Sequence, residues 1–453
     1  MKICRGADSP RPCGCLKDTS LENFNGFGLA APLVTALTHM GYVKPTPIQA
    51  QAIPVLMTGR DLIGIAQTGT GKTAAFALPI LNRLIADKRP APQGGARALV
   101  LSPTRELASQ IAQSFRDLSA GLSLDIAVVF GGVPHGAQIR ALAKGLDVLV
   151  ATPGRLLDHL DARVCNLSAV EFLVLDEVDR MLDLGFIKPI RRIVRELPRQ
   201  RQNLFFSATM PPDIRKLAGE LLHDPHEVSA APAATTVDRV EQTVVHVDAP
   251  RKRDMLVELF ADPKLTRTIV FTRTKHGADR VAKGLGEAGI SALAIHGNKS
   301  QGQRERALAA FRSGQARALV ATDIAARGID IDGVSHVVNF ELPEVAEAYV
   351  HRIGRTARAG RAGLAISLCD ATERDLLRAI ERLTRLRLFS LDRRGDKGPK
   401  PAPVVRKAET TPAPDRPHHS PHRDPRSANQ QPHRARQGRR ARPAYQAKSA
   451  PAR

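Results

Sequence analysis

The segment that most restricts the fold of this chain is Ala66-Gln-Thr-Gly-Thr-Gly-Lys-Thr73, a phosphate-loop pattern with alanine at its first position. The apolar run Asp61–Ala66 precedes it, and a helix-forming stretch begins near Lys72. In this strand–loop–helix setting the glycines turn backbone N–H groups toward phosphate oxygens, and the helix N-terminus adds positive potential. The sequence therefore predicts an α/β domain with a parallel sheet and a phosphate site at the end of one strand.

Each residue of this loop has an expected task in binding a nucleoside triphosphate. Lys72 would reach the β- and γ-phosphates, and the Thr73 hydroxyl would ligate Mg²⁺. A glycine-rich turn that only joins strand to helix is the alternative, and the flanking pattern disfavours it. The predicted nucleotide contacts in this segment are Ala66, Gln67, Thr68, Gly69, Thr70, Gly71, Lys72 and Thr73.

An acidic partner for the loop stands in Phe172-Leu-Val-Leu-Asp-Glu-Val-Asp179. Four apolar residues predict a buried strand, and Asp176 and Glu177 follow at its carboxyl end, where α/β sheets bind ligands. Asp176 would hold the Mg²⁺ shell, largely through water, and Glu177 would orient or deprotonate the attacking water. Taken alone, the four residues Asp176–Asp179 would indicate a solvated acidic turn. Together with the phosphate loop they predict a hydrolytic centre.

The charge of the chain favours a polyanionic partner. The 453 residues carry a formal net charge of +22, and residues 391–453 hold 16 lysines and arginines against 5 aspartates and glutamates. This surplus indicates nucleic acid or an anionic membrane surface, and the lack of an amphipathic apolar face in that stretch disfavours the membrane. No run approaches about 18 apolar residues and residues 1–20 show no signal-peptide pattern, so the expected location is the cytoplasm.

Cysteine and histidine usage does not favour a metal centre, because Cys4, Cys13 and Cys15 have no fourth ligand after them at a usual spacing. The five cysteines are an odd number without a secretion pattern, which argues against a disulfide framework. Cys165 and Cys369 are expected to pack as small hydrophobes. The scattered histidines His39, His159 and His296 lack ligand spacing and are expected to be surface or core residues.

Apolar runs that alternate with helix-like stretches predict two doubly wound α/β domains, over residues 21–230 and 238–388. Residues 231–237 are expected to form a linker, and residues 1–20 a disordered leader. The Pro- and Arg-rich residues 389–453 are expected to form a disordered basic tail that raises affinity for nucleic acid. The strands predicted for the first domain are Asp61–Ala66, Ala98–Ser102, Ile126–Phe130, Asp147–Ala151, Phe172–Asp176 and Asn203–Ser207.

The two halves of the chain resemble each other at a constant spacing. Arg97–Thr104 is similar to Arg267–Thr274, and Leu149-Val-Ala-Thr152 recurs as Leu319-Val-Ala-Thr322, both at an offset of 170 residues. Two matches at one offset favour a duplicated α/β fold. Because only the first half carries a phosphate loop, we expect one nucleotide site shared by two similar domains.

Together these segments resemble the DEAD-box family of RNA helicases, whose motifs are matched in order from Phe24 to Asp370. The resemblance implies two tandem RecA-like domains that use ATP and Mg²⁺. Phe24 and the segment Gly41–Gln49 resemble the adenine-reading element, in which the Gln49 amide gives a donor and an acceptor to the base. The segment Gly297–Gln301 and the short basic tail resemble the bacterial RhlE-type branch most.

The resemblance also implies contacts to the RNA backbone, which position a strand but carry little sequence information. Asp330, which ends a further matched element of the second domain, is counted with the nucleotide contacts and should touch the ribose. The implied RNA contacts are Pro103, Thr104, Arg105, Gly131, Gly132, Thr152, Pro153, Gly154 and Arg155 in the first domain, and Gln301, Arg304 and Thr322 in the second.

The segment His351–Arg358 matches the family's arginine element. Arg352, Arg355 and Arg358 fall at i, i+3 and i+6, so on a helix they would share one broad face. Guanidinium groups at the γ-phosphate contribute about 10³–10⁵ in rate. Arg355 and Arg358 are the predicted fingers and Arg352 the predicted interdomain partner, so hydrolysis should require a domain closure that RNA promotes.

A coupling element and two departures from the family pattern complete the prediction. Ser207-Ala-Thr209 resembles the segment that couples hydrolysis to unwinding, with its hydroxyls near Asp179. Val178 replaces the family's alanine, and its added methyls place that coupling in question, since overpacking costs about 1–3 kcal/mol. Ala357 replaces a glycine, which helix propensity predicts to be harmless.

The sequence thus predicts a monomeric RNA-dependent ATPase that melts short RNA duplexes or remodels ribonucleoprotein, in ribosome assembly or RNA decay. An ATP-gated RNA clamp or annealing chaperone shares these motifs and stays open as an alternative, as does a DNA translocase. No membrane partner is expected.

Overall fold

A computed structural model describes residues 23–67, 69–230, 240–326, 333–357 and 363–396. Thr68, Asp330, Arg358, the expected leader and linker, and residues 397–453 of the expected tail lie outside these ranges. Within them, no helix is both long and apolar enough to cross a bilayer.

The helices of the described chain alternate with strands from the start of the first domain to the end of the second. The strands are β1 (Leu62–Ile65), β2 (Ala96–Leu101), β3 (Ile126–Val129), β4 (Leu146–Ala151), β5 (Phe172–Leu175), β6 (Gln202–Ser207), β7 (His226–Ser229), β8 (Val240–His246), β9 (Thr268–Thr272), β10 (Ala292–Ile295), β11 (Ala318–Thr322), β12 (His336–Asn339), β13 (Gly363–Cys369) and β14 (Phe389–Asp392). The helices are α1 (Ala31–His39), α2 (Pro47–Met57), α3 (Lys72–Ala86), α4 (Arg105–Leu118), α5 (His135–Ala143), α6 (Pro153–Asp161), α7 (Val178–Asp183), α8 (Ile187–Arg195), α9 (Pro212–Leu221), α10 (Lys252–Leu259), α11 (Lys275–Glu287), α12 (Gln301–Arg312), α13 (Asp323–Ala326), α14 (Ala346–Ile353) and α15 (Arg374–Thr384).

The strands form two seven-stranded parallel sheets with the same topology. The first has the order β3-β4-β2-β5-β6-β1-β7 and the second β10-β11-β9-β12-β13-β8-β14. Counted from the first strand of each sheet, both orders are 3-4-2-5-6-1-7. The two repeated segments lie on β2 and β9 and on β4 and β11, which are equivalent strands. The predicted pair of doubly wound domains is confirmed.

Helices cover both faces of each sheet, which explains why the strands are almost continuously apolar. In β2, Ala98 and Val100 enter a core that contains Phe76, whereas Leu99 and Leu101 enter a separate core on the opposite face. The second sheet likewise lies between two apolar cores. This double cover leaves the carboxyl ends of the strands as the place for polar chemistry.

The expected end of the second domain at Leu388 is wrong, because β14 follows it and extends the second sheet. Phe389–Asp392 pairs in parallel with β8, with Leu391 opposite Val245. Its counterpart β7, His226–Ser229, was also missing from the predicted strands. Both are four-residue edge strands whose side chains are mostly exposed, and neither has the continuous apolar run that identifies the central strands.

Candidate nucleotide and RNA site

The phosphate loop joins β1 to α3, and its glycines have the left-handed backbone that this turn requires. Gly69 has φ +80° and Gly71 has φ +90°, and Gly71 caps the N-terminus of α3. A Cβ atom on Gly71 would lie 2.5 Å from the Gln49 amide nitrogen, so both conformation and space demand glycine there. The Thr70 hydroxyl donates to the Gln67 carbonyl at 2.7 Å, and the Ala66 N–H donates to Ser207 O at 3.0 Å.

The predicted adenine-reading residues lie inside the fold and contact the phosphate loop. Gln49 is fully buried; its Nε2 donates to the Gly71 carbonyl at 3.1 Å, and its Oε1 accepts the Thr46 N–H at 2.9 Å. Phe24 is buried and meets Tyr42 edge-on at 6.3 Å between ring centroids. An adenine contact of Gln49 stays a prediction, and it requires the amide to share or exchange these two hydrogen bonds.

Lys72 and Asp176 form the buried charged centre of the first domain. The Lys72 ammonium donates to Ala66 O at 2.9 Å and lies 3.9 Å from Asp176 Oδ1. Burial raises the pKa of the Asp176 carboxyl above its usual value, while the Lys72 charge opposes the shift. The Asp176 carboxylate and the Thr73 hydroxyl are hard oxygen donors of the kind that Mg²⁺ prefers, so the residues present fit that ion.

Glu177 stands between charges from both domains. Burial opposes its ionisation, but Arg180, Lys72 and Arg355 outweigh burial and lower the pKa of the Glu177 carboxyl. Its Oε2 forms an ion pair with Arg180, one turn into α7. Its backbone has φ +54°, the left-handed region that non-glycine residues enter only at a cost of about 1–2 kcal/mol. The strained turn directs an ionised carboxylate to the carboxyl end of β5.

Asp179 connects this turn to the end of β6. Its Oδ2 accepts bonds from the Ala208 N–H at 3.1 Å, the Thr209 N–H at 3.1 Å and the Thr209 hydroxyl at 3.2 Å. The Ser207 hydroxyl accepts the Asp179 N–H at 3.3 Å and donates to Thr209 O at 2.7 Å. The structure therefore brings together the three residues predicted to couple hydrolysis to unwinding; the coupling itself stays a prediction.

Val178 is fully buried at the start of α7 and packs in the core beneath the sheet. Its methyl groups therefore point into an apolar layer and contribute to packing there. An effect of this residue on coupling stays a prediction.

The predicted helical face of three arginines is wrong, because α14 ends at Ile353. Arg355 follows the helix, and Arg358 lies outside the described residues. The role predicted for Arg352, pairing with the first domain, is also wrong. Arg352 is 1% exposed, and its guanidinium forms two bonds of 2.6 and 2.7 Å to Asp323 of its own domain. It also donates to Asn339 and to the Glu341 carbonyl.

Arg355 is the predicted finger that the structure describes, and it lies near the candidate nucleotide centre. It is buried, its Nε donates to His351 O at 3.2 Å, and its charge acts on Glu177 of the first domain. It lines a small interdomain cleft with Arg180 of the first domain and Asp323 of the second. Of the predicted fingers that the structure describes, Arg355 therefore lies where the proposed chemistry needs a second cation.

The helix-propensity argument for Ala357 is wrong, because this residue has φ +54° and lies outside any helix. Alanine in the left-handed region costs about 1–2 kcal/mol, and glycine avoids that cost but loses about 0.4–1 kcal/mol through its more flexible unfolded state. We expect Ala357→Gly to leave stability unchanged or raise it by up to about 1 kcal/mol. Thermal unfolding tests this: a destabilisation of about 1 kcal/mol would support the helical interpretation instead.

The predicted RNA contacts of the first domain surround a group of arginines. Thr104 caps α4 through a 3.3 Å bond from the Leu107 N–H, and Thr152 precedes Pro153 at the start of α6. The Arg105 guanidinium lies against Gly132, where a Cβ atom would come within 2.1 Å of it. Gly132 also has φ +79°, so this position needs glycine. The remaining residues of this set, Pro103, Gly131, Gly154 and Arg155, lie in the same strand-end loops or the first turn of α6.

Arginines of both domains meet in this region. Burial lowers the pKa of Arg105, and the charges of Arg304 and Arg155 lower it further, although Glu106 opposes them. Arg304 comes from α12 of the second domain, and its Nε binds Glu106 Oε1 of α4 at 2.6 Å. Arg304, predicted only to contact RNA, therefore forms a buried interdomain ion pair. The three guanidiniums outnumber the two carboxylates that pair with them, Glu106 and Asp158, the latter 3.4 Å from Arg155 Nε. The remaining positive charge suits a phosphate backbone.

The other predicted RNA contacts of the second domain lie near this pair. Gln301 begins α12 and its Nε2 donates to Glu305 at 3.0 Å; among the described residues its buried Oε1 has no hydrogen-bond partner. Gln301 and Thr73 line one cleft of about 670 Å³ between the domains. Thr322 ends β11, one residue before the Asp323 that binds Arg352.

A buried polar network that the sequence did not indicate holds two of the predicted RNA loops. His159 is fully buried, and its Nε2 lies 3.1 Å from Gln138 Oε1. The Gln138 Nε2 donates to Phe130 O at 3.0 Å, directly before Gly131 and Gly132, and Arg155 donates to Val133 O at 3.0 Å, directly after them. We call His159, Gln138 and Arg155 the loop-holding network. Isolated histidine and glutamine positions carry no signal for such a role.

Comparison with known proteins gives relatives for most of the described chain. The DEAD/DEAH box helicase family model matches residues 46–217, and the helicase conserved C-terminal domain model matches residues 251–360. The chain is 46% identical over 368 residues to the ATP-dependent RNA helicase DeaD of Mycobacterium tuberculosis, which covers 81% of this chain and 64% of that protein. It is 44% identical over 369 residues to the RNA helicase CrhR of a Synechocystis species, which covers 81% of this chain and 73% of that protein. The chain thus spans under two thirds of the DeaD relative.

A solved structure resembles both domains and their arrangement. It is Saccharomyces cerevisiae Dbp5 bound to RNA and ADP BeF3, with a TM-score of 0.73 and 31% sequence identity. The match covers 82% of this chain and 96% of that chain. This likeness supports the predicted tandem RecA-like architecture.

Proposed function

Because the chain belongs to the DEAD/DEAH box helicase family, we propose that it is an RNA-stimulated ATPase that couples ATP hydrolysis to local unwinding of short RNA duplexes or to ribonucleoprotein remodelling. The observation that carries this proposal is the position of Arg355, which belongs to the second domain and lines a cleft with Arg180, the first-domain partner of the Glu177 carboxylate. A hydrolytic centre completed in this way works only when the two domains are closed.

The chemistry follows from the charges around Glu177. Lys72 binds the β- and γ-phosphates, and the ionised Glu177 orients the attacking water and accepts its proton. Arg355 stabilises the negative charge on the transferred phosphoryl group. Mg²⁺, held by Thr73 and Asp176, would neutralise charge on the same phosphates.

RNA dependence follows from the arginine group that both domains share. Closure brings Arg304 of the second domain toward Arg105 and Arg155 of the first, and the carboxylates of Glu106 and Asp158 offset only part of the repulsion. An RNA phosphate bound among the three arginines removes the repulsion and so favours closure. Closure brings Arg355 to Glu177, which makes hydrolysis depend on RNA.

ATPase stimulation by RNA and by DNA of matched sequence tests the choice of polymer. We expect RNA to stimulate hydrolysis well above DNA, since contacts to sugar and backbone distinguish the polymers through the 2′-hydroxyl. Equal stimulation would favour the DNA translocase instead. Strand displacement with ATP and with a non-hydrolysable analogue then separates an unwinding enzyme, which needs the hydrolysable nucleotide, from an RNA clamp or annealing chaperone.

The loop-holding network gives a specific prediction. His159→Phe fills the same space but removes the partner of Gln138, so the loop around Gly131 and Gly132 loses part of its support. We expect the RNA concentration for half-maximal ATPase stimulation to rise about tenfold, a loss of about 1–2 kcal/mol typical of a buried hydrogen bond, while the KM for ATP stays unchanged. His159→Gln keeps a donor for Gln138 and should recover most of the affinity. A parallel rise in both constants would indicate general destabilisation.

We propose that the partner is RNA, and that the RNAs bound in the cell are ribosomal precursors or RNAs held by the decay machinery. The charge balance and the backbone contacts support an RNA partner with little sequence preference. Cytoplasmic location, a monomeric state and the RhlE-type branch stay predictions. Crosslinking in cells with a Glu177→Gln variant would identify the RNAs; recovery of DNA alone would contradict the proposal.

A further inference from the structure

The end of the second domain carries a surface that neither the nucleotide centre nor the arginine group uses. The segment Arg382–Leu391 closes α15 and enters β14, and Leu388 is the one residue in it that is buried. We call it the C-terminal edge surface, formed by Arg382, Arg385, Leu386, Arg387, Phe389 and Leu391.

Apolar side chains are unusually exposed on this surface. Phe389 is 65% exposed and Leu391 is 45% exposed, and Leu386 is exposed beside them in sequence. Because side chains alternate along a strand, Phe389 and Leu391 lie on the same face of β14, beside Thr243 and Val245 of β8. An exposed aromatic ring next to an exposed leucine indicates a contact surface.

Three arginines of this surface are not engaged by carboxylates. In the described part of the chain, no ion pair involves Arg382, Arg385 or Arg387, although the neighbouring Arg378, Arg393 and Arg394 each pair with an aspartate. The carboxylate of Glu381, which directly precedes Arg382 in sequence, accepts the Leu388 N–H at 3.1 Å. The surface therefore combines unpaired positive charge with an exposed aromatic ring.

We propose that the C-terminal edge surface is an accessory binding site for single-stranded RNA, separate from the interdomain arginine group. The guanidiniums of Arg385 and Arg387 bind phosphates, and Phe389 stacks on a base, the combination that holds single strands without sequence preference. The site adds to the proposed function by anchoring RNA that flanks the strand held between the domains. The strongly basic composition of residues 391–453, which continue from it, favours the same polyanion.

A second copy of the chain fits this surface less well. The free edge of β14 is only four residues long and is flanked by arginines, features that natural proteins use to prevent edge-to-edge pairing. Two such surfaces would also bring six unpaired arginines together, whereas a phosphate backbone neutralises them.

The test compares two variants of the full chain. In one, Arg385→Gln, Arg387→Gln and Phe389→Ala alter the C-terminal edge surface; in the matched control, Arg195→Gln, Arg199→Gln and Val345→Ala alter exposed residues elsewhere. The probe is a labelled oligouridine of about 30 nucleotides, long enough to span several single-strand contact sites. Circular dichroism and the Tm confirm that both variants are folded.

We expect the edge variant to bind the oligouridine about tenfold more weakly and to lower the slope of log K against log salt by about 1.4, the value for two lost phosphate contacts. The control should match the parent, and both should keep the parent kcat for ATP at saturating RNA. Unchanged affinity and slope would overturn the accessory site while the RNA-stimulated ATPase stands. A concentration-dependent dimer of the parent that the edge variant lacks would also overturn it, in favour of self-association.

Discussion

Glu177→Gln is expected to abolish ATP hydrolysis while ATP still binds. The carboxylate is ionised because Arg180, Lys72 and Arg355 outweigh the effect of burial on its pKa. Glutamine has nearly the same shape and can still accept a bond from Arg180, but it cannot take a proton from water. Loss of a general base typically costs about 10²–10⁴ in rate. Single-turnover hydrolysis at saturating RNA, together with equilibrium binding of labelled ATP, measures both properties.

Two controls separate this effect from a loss of folding or binding. Glu220→Gln makes the same chemical change in an exposed ion pair with Arg191 and should leave hydrolysis at the parent rate. Lys72→Ala removes the cation that binds the phosphates and should lose both ATP binding and hydrolysis. Full ATPase activity in Glu177→Gln or in Lys72→Ala would overturn the assignment of the nucleotide site.

Arg355→Ala is expected to lower the RNA-stimulated kcat by about 10³–10⁵, the range for a guanidinium at the transferred phosphoryl group. The KM for ATP should change little, since the residue belongs to the second domain and the phosphate loop to the first. Arg355→Lys keeps the charge but loses the planar fork, so its rate should lie between alanine and arginine. Steady-state kinetics at saturating RNA tests this, and a kcat within threefold of the parent would contradict the role of Arg355 as a finger.

Arg352→Ala provides the informative contrast. It leaves the Asp323 carboxylate, whose side chain is 26% exposed, without the guanidinium that forms two bonds to it. Breaking a fully buried pair costs about 3–5 kcal/mol, and partial hydration of Asp323 places the cost at or below the lower end of that range. We therefore expect a lower Tm and loss of soluble protein, which distinguish it from the folded but slow Arg355→Ala. A stable Arg352→Ala protein with low kcat would restore the interdomain role that the sequence predicted.

Most of the candidate nucleotide site could be located from the sequence because its residues fall in short contiguous segments. The phosphate loop and the turn at Asp176 each follow an apolar run of strand type, and parallel strands place their carboxyl ends at one edge of a sheet. The repeat at an offset of 170 residues likewise predicted the duplicated topology. Strands that are buried on both faces are almost continuously apolar, so equivalent strands are recognisable in both halves of the sequence.

The arginine element shows why other predictions failed. A spacing of i, i+3 and i+6 indicates a helical face only if the helix continues, and α14 ends at Ile353, before Arg355. The sequence does not identify Asp323 as the partner of Arg352, because the two lie 29 residues apart and no local pattern connects them. For the same reason the sequence did not predict the contact between His159 and Gln138, which joins two different helices.

The sequence by itself determined the phosphate loop, the order of the strands that carry chemistry, and the repeated fold, because each depends on residues that are neighbours along the chain. Only the tertiary structure decided that Arg355 lies in a cleft with Arg180, the partner of Glu177, that Arg352 stabilises its own domain through Asp323, and that Arg304 pairs with Glu106 across the domains. Those outcomes depend on where helices end and how two sheets face each other. Long-range electrostatics and burial set them, and neither is encoded in local spacing.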